Sequence, residues 1–144
     1  MYKRQPNPNA VAAQNLVRLA VLSGDEQWRQ KADRLIEGIL SAAASNLFGH
    51  VALLNALDLR LRGAEIVVTG ANSDALAAAA LKIPFITRIV LRARDPEALP
   101  ASHPARDKIT AAPDGAAFVC VGERCSLPVG SADEIAATVA AMRK

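Results

Sequence analysis

Cys120 and Cys125 are the only two cysteines of the chain, and they flank Gly122-Glu123. A two-residue type II′ turn takes Gly at its first central position, so Val121 would pair with Arg124 and Cys120 would lie directly opposite Cys125. In a non-hydrogen-bonded antiparallel pair the Cα atoms sit about 4.5 Å apart, at the short edge of disulfide geometry. A redox pair is therefore geometrically possible. The plainer reading, which we take as the expectation, is that both thiols fill the core. Strand alternation sets Cys120 with Phe118, and Cys125 with Leu127 and Val129, on an apolar face where thiols react poorly. No Cys-x-x-Cys opens a helix, and two thiols with two distant histidines do not make a zinc site. No metal and no cofactor is expected.

The run VVTGANSD, residues 67–74, passes from a strand into a helix start. Free backbone N–H groups of Thr69, Gly70, Asn72 and Ser73 could hold a phosphate or another anion. One glycine stands where a dinucleotide fingerprint needs three, so an ordinary strand-to-helix turn is the simpler expectation. Asn46 and His50 lie one helical turn apart and could line a polar pocket inside a helical barrel. Without a carboxylate or nucleophile at matching spacing, His50 reads more simply as a helix-start or packing residue. His103 precedes Pro104 in a loop and reads as solvated. Arg88 and Arg92 share a strand face and, with Arg94, could form a cationic rim; a solvated edge explains them as well.

Positioning these groups requires two kinds of element. Residues 9–22 are apolar around most of the circumference, with only Gln14, Asn15 and Arg18 polar after Asn9, so this helix must be covered on more than one side. Ser23 and Glu26 make a capping-box pattern, with Asp25 adding charge to the first turn. Trp28, Ala32, Leu35, Ile36, Ile39, Leu40 and Ala43 then recur at helical spacing. A third helix is expected over 47–61, ending near Gly63. Three short-looped helices with this much apolar face look like part of a larger helical assembly.

Beyond Gly63 the period changes. EIVVT, residues 65–69, suits a buried strand, a helix runs from Asn72 or Ser73 to Lys82, and TRIVLRA, residues 87–93, makes a second strand. Such a unit joins parallel strands. Four prolines make 94–115 a loop with at most a short helix near 104–109. A hairpin of 116–121 and 125–129 follows, then a helix opened by a capping box at Ser131 and Glu134. The expected order is β-α-β-loop-β-β-α, which suits a small three-layer α/β domain, in a thioredoxin-like or a more generic arrangement.

Composition agrees. A 51% hydrophobic and 22% charged chain is neither disordered nor collagen-like. Thirty alanines against five aromatics suit close helix packing. The formal charge of +3 is spread along the chain, with seven Lys/Arg against five Asp/Glu through Arg60 and ten against nine beyond, so there is no basic stripe and no nucleic-acid partner is expected. No apolar run is long enough for a membrane span and no secretory signal is recognised, so the expectation is a cytoplasmic protein without a membrane partner.

Three stretches, PNPNAVAAQNLVRLAVLSGDEQWRQKADRLI, NLFGHVALLNALDLRLRGAEIVVTG and AAFVCVGERCSLPV, together resemble the thioredoxin-domain-containing family that includes spermatogenesis-associated protein 20 and bacterial YyaL-like proteins. The resemblance covers nearly the whole chain from Pro6, at the C-terminal end of that family. It implies an N-terminal thioredoxin-like domain, then an (α/α) barrel similar to six-hairpin glycosidases and N-acylglucosamine 2-epimerases, then a small α/β end. On it, residues 6–62 are the last helices of the barrel and 63–144 the α/β domain. Asn9 matches the Asn of a Pro-x-Gly-Asn-Ser stretch, with Pro8 and Ala10 in place of its Gly and Ser, and joins Asn46 and His50 as a pocket candidate. Cys120 and Cys125 match a Cys-x4-Cys tail hairpin.

The resemblance implies a C-terminal piece, non-catalytic alone. Its partner is the remainder of the parent chain, which would process a sugar or another small molecule. Tyr-Lys-Arg-Gln after Met1 is also what GTG TAT AAG AGA CAG encodes, which is similar to a transposase adapter. Residues 1–5 are then expected to be a non-native scar.

Overall fold

The computed structural model describes residues 7–144, so the reading of residues 1–5 as a scar lies outside the described residues. The protein is mixed α/β and divides into two compact units, with the boundary between Leu61 and Arg62.

The first unit is helical. Helix α1, Pro8–Ser23, starts with Pro at its first position, where the missing N–H is no loss, and the Asn7 side chain accepts from the Asn9 N–H. It ends at Gly24, whose φ of 69° is the left-handed cap that glycine adopts freely. The expected capping box at Ser23 is not formed. Asp25 caps α2, Glu26–Ser45, accepting from the Gln27 N–H at 2.8 Å, while the Ser23 hydroxyl donates to the Leu19 carbonyl. Gly24 ends α1 so abruptly that the next helix cannot begin until two residues later.

The third helix starts as a 3-10 turn, Leu47–His50, and becomes α3, Val51–Arg62. Ala10, Ala13, Ile36, Ala43, Leu53 and Ala56 form the buried cluster of this unit. Arg60 makes a two-pronged bond to Asp33, Nε to Oδ1 at 2.6 Å and Nη2 to Oδ2 at 2.9 Å, tying α3 to α2. That hydrogen bond holds the Arg60 guanidinium above its ordinary pKa, while burial alone pushes Arg18 on α1 below it.

The second unit is built on a four-stranded mixed sheet in the order β2-β1-β3-β4. Strands β1, Ala64–Thr69, and β2, Arg88–Arg92, are parallel and joined through helix α4, Asp74–Lys82. Strand β3, Ala116–Val121, runs antiparallel to β1 and to the two-residue β4, Arg124–Cys125. Helix α5, Glu134–Met142, closes the chain. Ala64, Ile66 and Val68 of β1 and Val119 of β3 face α4 and α5. Val67 and Phe118 face the opposite way, under Leu99, Ala105 and Ile109 of the long loop, which carries 3-10 turns at Pro96–Ala98 and Arg106–Ala111. The sheet is thus covered on both sides, by α-helices on one and by a proline-rich loop on the other. Asp133, not Ser131, stands at the start of α5: the Ser131 carbonyl accepts from Glu134 N–H in a turn that precedes the helix.

The hairpin departs from expectation in one respect. Cys120 pairs with Cys125 and Val121 with Arg124, and Ser126 N–H still bonds to the Val119 carbonyl. The next bridge joins Ala117 to Val129, one residue out of that register. An extra residue in one strand flips every later side chain to the other face. Val129 therefore packs with Ala117 against the helices, and Leu127, expected on the face of the cysteines, is 85% exposed. The Val119 N–H turns to the Ser126 hydroxyl at 3.1 Å, and Pro128 has no N–H with which to continue a ladder.

Candidate functional site

Two places in the α/β unit bring polar side chains together. The first is a row across the sheet on the loop-covered face. Gly122 has φ of +59° while Glu123 does not share its sign, as a type II′ turn requires, and the turn sets Cys120 opposite Cys125. The two are joined by a disulfide, with Cα atoms 4.0 Å apart. The expectation of two free core thiols is thereby corrected: both thiols are consumed in one bond, because the register leaves their Cβ atoms face to face. Cys120 is fully buried and Cys125 half-buried.

Glu65 of β1 lies directly opposite Cys120 on its other side, so Glu65, Cys120 and Cys125 follow one another across three strands on a single face. Against Glu65 sits His103, whose Nε2 is 3.1 Å from Oε2. The side chains of His103 and Glu65 are 3% and 17% exposed. The reading of His103 as solvated is corrected here. Its Nδ1 accepts from the Ala105 N–H at 3.1 Å, which folds the loop over the ring and buries it. With Nδ1 an acceptor, the ring proton belongs on Nε2, facing Glu65 but out of line for a hydrogen bond.

The sequence analysis passed over Glu65 and set His103 aside as solvated. Glu65 did carry a signal, as the one charge inside an otherwise apolar β-branched strand. His103 carried none, since a His-Pro in a loop is commonly wet.

The second place is an open cleft of about 1000 Å³ beyond the carboxyl ends of β1 and β2, where open α/β sheets commonly receive ligands. Thr69, Gly70 and Ser73 line it, with Arg92, Arg94, Asp74 and Asp95; Asn72 stands in the same turn. The backbone is less available than the sequence suggested. The Ala71 and Asn72 N–H groups donate to the carbonyls of Pro113 and Asp114, at 3.1 and 3.0 Å. Arg92 donates to Asp74 at 2.6 Å and to the Ser73 hydroxyl at 3.3 Å. Two arginines and two aspartates leave the cleft near neutral. Gly70 is indispensable to this shape. Its φ is +89°, and a Cβ there would come within 2.4 Å of Gly115 backbone.

In the helical unit the polar candidates serve local structure. The Asn46 side chain accepts from Gly49 N–H and so caps the 3-10 turn, and His50 Nδ1 lies 2.9 Å from the Asn46 carbonyl. Asn9 is exposed on the first turn of α1. Neither the cleft nor the cysteine row includes these three.

Among the described residues no three His, Cys, Asp or Glu side chains are grouped to hold a metal, and no helix is long and apolar enough to cross a membrane. The chain matches no protein-family model, no curated protein and no solved structure.

Proposed function

We propose that the chain is the C-terminal portion of a protein of the thioredoxin-domain-containing family that includes spermatogenesis-associated protein 20 and YyaL-like proteins. On this reading it is non-catalytic by itself. Its helices complete an (α/α) barrel whose remainder supplies the activity on a sugar or another small molecule, and its α/β unit has a thioredoxin-like strand order.

The observation that carries this reading is the apolar surface of the helical unit. Leu22, Leu47, Val51 and Leu61 are each half exposed or more, and Phe48 is 97% exposed. A helix apolar on several sides requires cover on several sides. The experiment is hydrophobic-dye binding together with sedimentation of the 144-residue chain. Dye binding and self-association are expected; a compact, cooperatively melting monomer that binds no dye would overturn the reading.

A second reading, a thiol–disulfide role for Cys120 and Cys125, is supported by the bond between them and by the access that half-buried Cys125 leaves to an incoming thiol. A closed disulfide suits an oxidising compartment, or a pair that cycles in a reducing one. Thiol titration tests it. No thiols before mild reduction, two after it, and recovery of the bond with oxidised glutathione are expected; a pair that never opens in the native protein would remove the redox role. Anion or nucleotide binding at Thr69, Gly70, Asn72 and Ser73 is supported only by the cleft. It predicts thermal stabilisation by millimolar phosphate or nucleotide, and no shift would remove it.

A further inference from the structure

The row on the loop-covered face holds more than a disulfide needs. Glu65 is the immediate cross-strand neighbour of Cys120, and the face around it is otherwise apolar, with Val67 on its own strand, Ile89 on β2, Phe118 on β3 and Ala105 in the loop. Other charged groups on the elements packed here point elsewhere. Arg106 Nη1 donates to the Leu99 carbonyl, and Asp107, Lys108 and Arg124 are exposed. Among the described residues Glu65 therefore faces one ionisable group besides the cysteines, His103, whose Nε2 is buried at 3.1 Å without an aligned hydrogen bond. Burying a carboxyl and an imidazole together is costly unless they are paired.

We propose that Glu65 is the proton acceptor and donor for opening and closing the Cys120–Cys125 disulfide, and that His103 is a positioning residue that holds the Glu65 carboxylate. This rests on the redox reading above. In closing, Cys125 is held as a mixed disulfide with a small-molecule thiol, and Cys120 is a thiol. The Glu65 carboxylate takes the Cys120 proton, and the thiolate attacks Cys125 Sγ. The Cys120–Cys125 bond forms as the bond to the small molecule breaks; the electron pair leaves on that thiolate, which takes a proton from water. Opening is the reverse: the small-molecule thiolate attacks Sγ of Cys125, the less buried of the two cysteines, the electron pair passes to Cys120, and Glu65 returns the proton. A thiolate left in an apolar pocket would be poorly tolerated, which is why the buried sulfur needs a proton donor at hand. The Nε2–H of His103 faces the carboxylate that takes the proton in closing and is restored in opening.

The test is the rate of closure of the reduced full chain by oxidised glutathione between pH 5.5 and 8.5, for the wild type, Glu65→Gln and His103→Gln, with circular dichroism as the control for folding. In the wild type the rate is expected to change little with pH, because the carboxylate takes the Cys120 proton. Glu65→Gln is expected to close roughly a hundredfold more slowly at neutral pH, with a rate that climbs about tenfold per pH unit because the thiolate must then form by ionisation alone. His103→Gln, which keeps an acceptor for the Ala105 N–H, is expected to close severalfold more slowly, with a rate that rises with pH, because the carboxylate is no longer held in place. If Glu65→Gln does not fold, the profile of His103→Gln decides. Profiles identical to wild type in the folded variants would overturn the proposal while leaving the redox reading standing. A wild-type pair that glutathione neither opens nor closes would overturn both.

Discussion

The two units solve the problem of burial in opposite ways. In the helical unit the buried positions are mostly small. Ala10, Ala13, Ala32, Ala43 and Ala56 let the helices approach closely, and Leu53 is the one large side chain that is fully enclosed. Val17, Ile36 and Leu59 are buried too, but Leu22, Leu47, Val51 and Leu61 lie at the surface, Phe48 most of all. In the α/β unit, Ile66, Val67, Val68, Val119 and Ile135 are fully enclosed, and both faces of the sheet are covered. A sheet covered on both sides is a closed solution. Helices with apolar residues around most of their surface are not, and the difference leaves large apolar side chains exposed on the helical unit.

That contrast can be broken or sharpened by substitution. Gly70→Ala strikes the most rigid point of the α/β unit. The positive φ and the backbone of Gly115 leave no room for a methyl, so a loss of about 2–4 kcal/mol is expected in denaturant unfolding followed by amide exchange in β1 and β3. Leu53→Ala is the corresponding blow to the helical unit, with a cost of about 2–3 kcal/mol, near the low end for such changes because the small neighbours can close in. Trp28, the sole tryptophan, lies on α2 and reports that transition by fluorescence. Asp33→Ala removes the carboxylate from Arg60 at a site about one-third exposed, so the same fluorescence midpoint should fall by no more than about 1 kcal/mol. Phe48→Ser should change stability by less than about 0.5 kcal/mol, since the ring contributes almost nothing to a core. Dye binding should nonetheless fall. A large loss of stability on this last change would mean that Phe48 is covered after all and would erase the contrast between the units.

The sequence by itself determined the alternation of elements, because period and punctuation are local. Helical spacing in residues 28–43 gives α2, the β-branched run at 66–68 gives β1, and Gly122 dictates a turn that brings Cys120 to Cys125. It failed where the outcome depends on what arrives from elsewhere. Ser23 and Ser131 both had the chemistry of a cap, yet Gly24 and the turn before α5 moved each helix start by two residues. Leu127 and Val129 read as strand neighbours of Cys125 until a single extra residue exchanged their faces. His103 became a buried partner of Glu65 only because a loop of four prolines folds back across the sheet. Burial and cross-strand neighbours are properties of the assembled chain. Only the tertiary structure could decide that a disulfide, a carboxyl and an imidazole stand in one row.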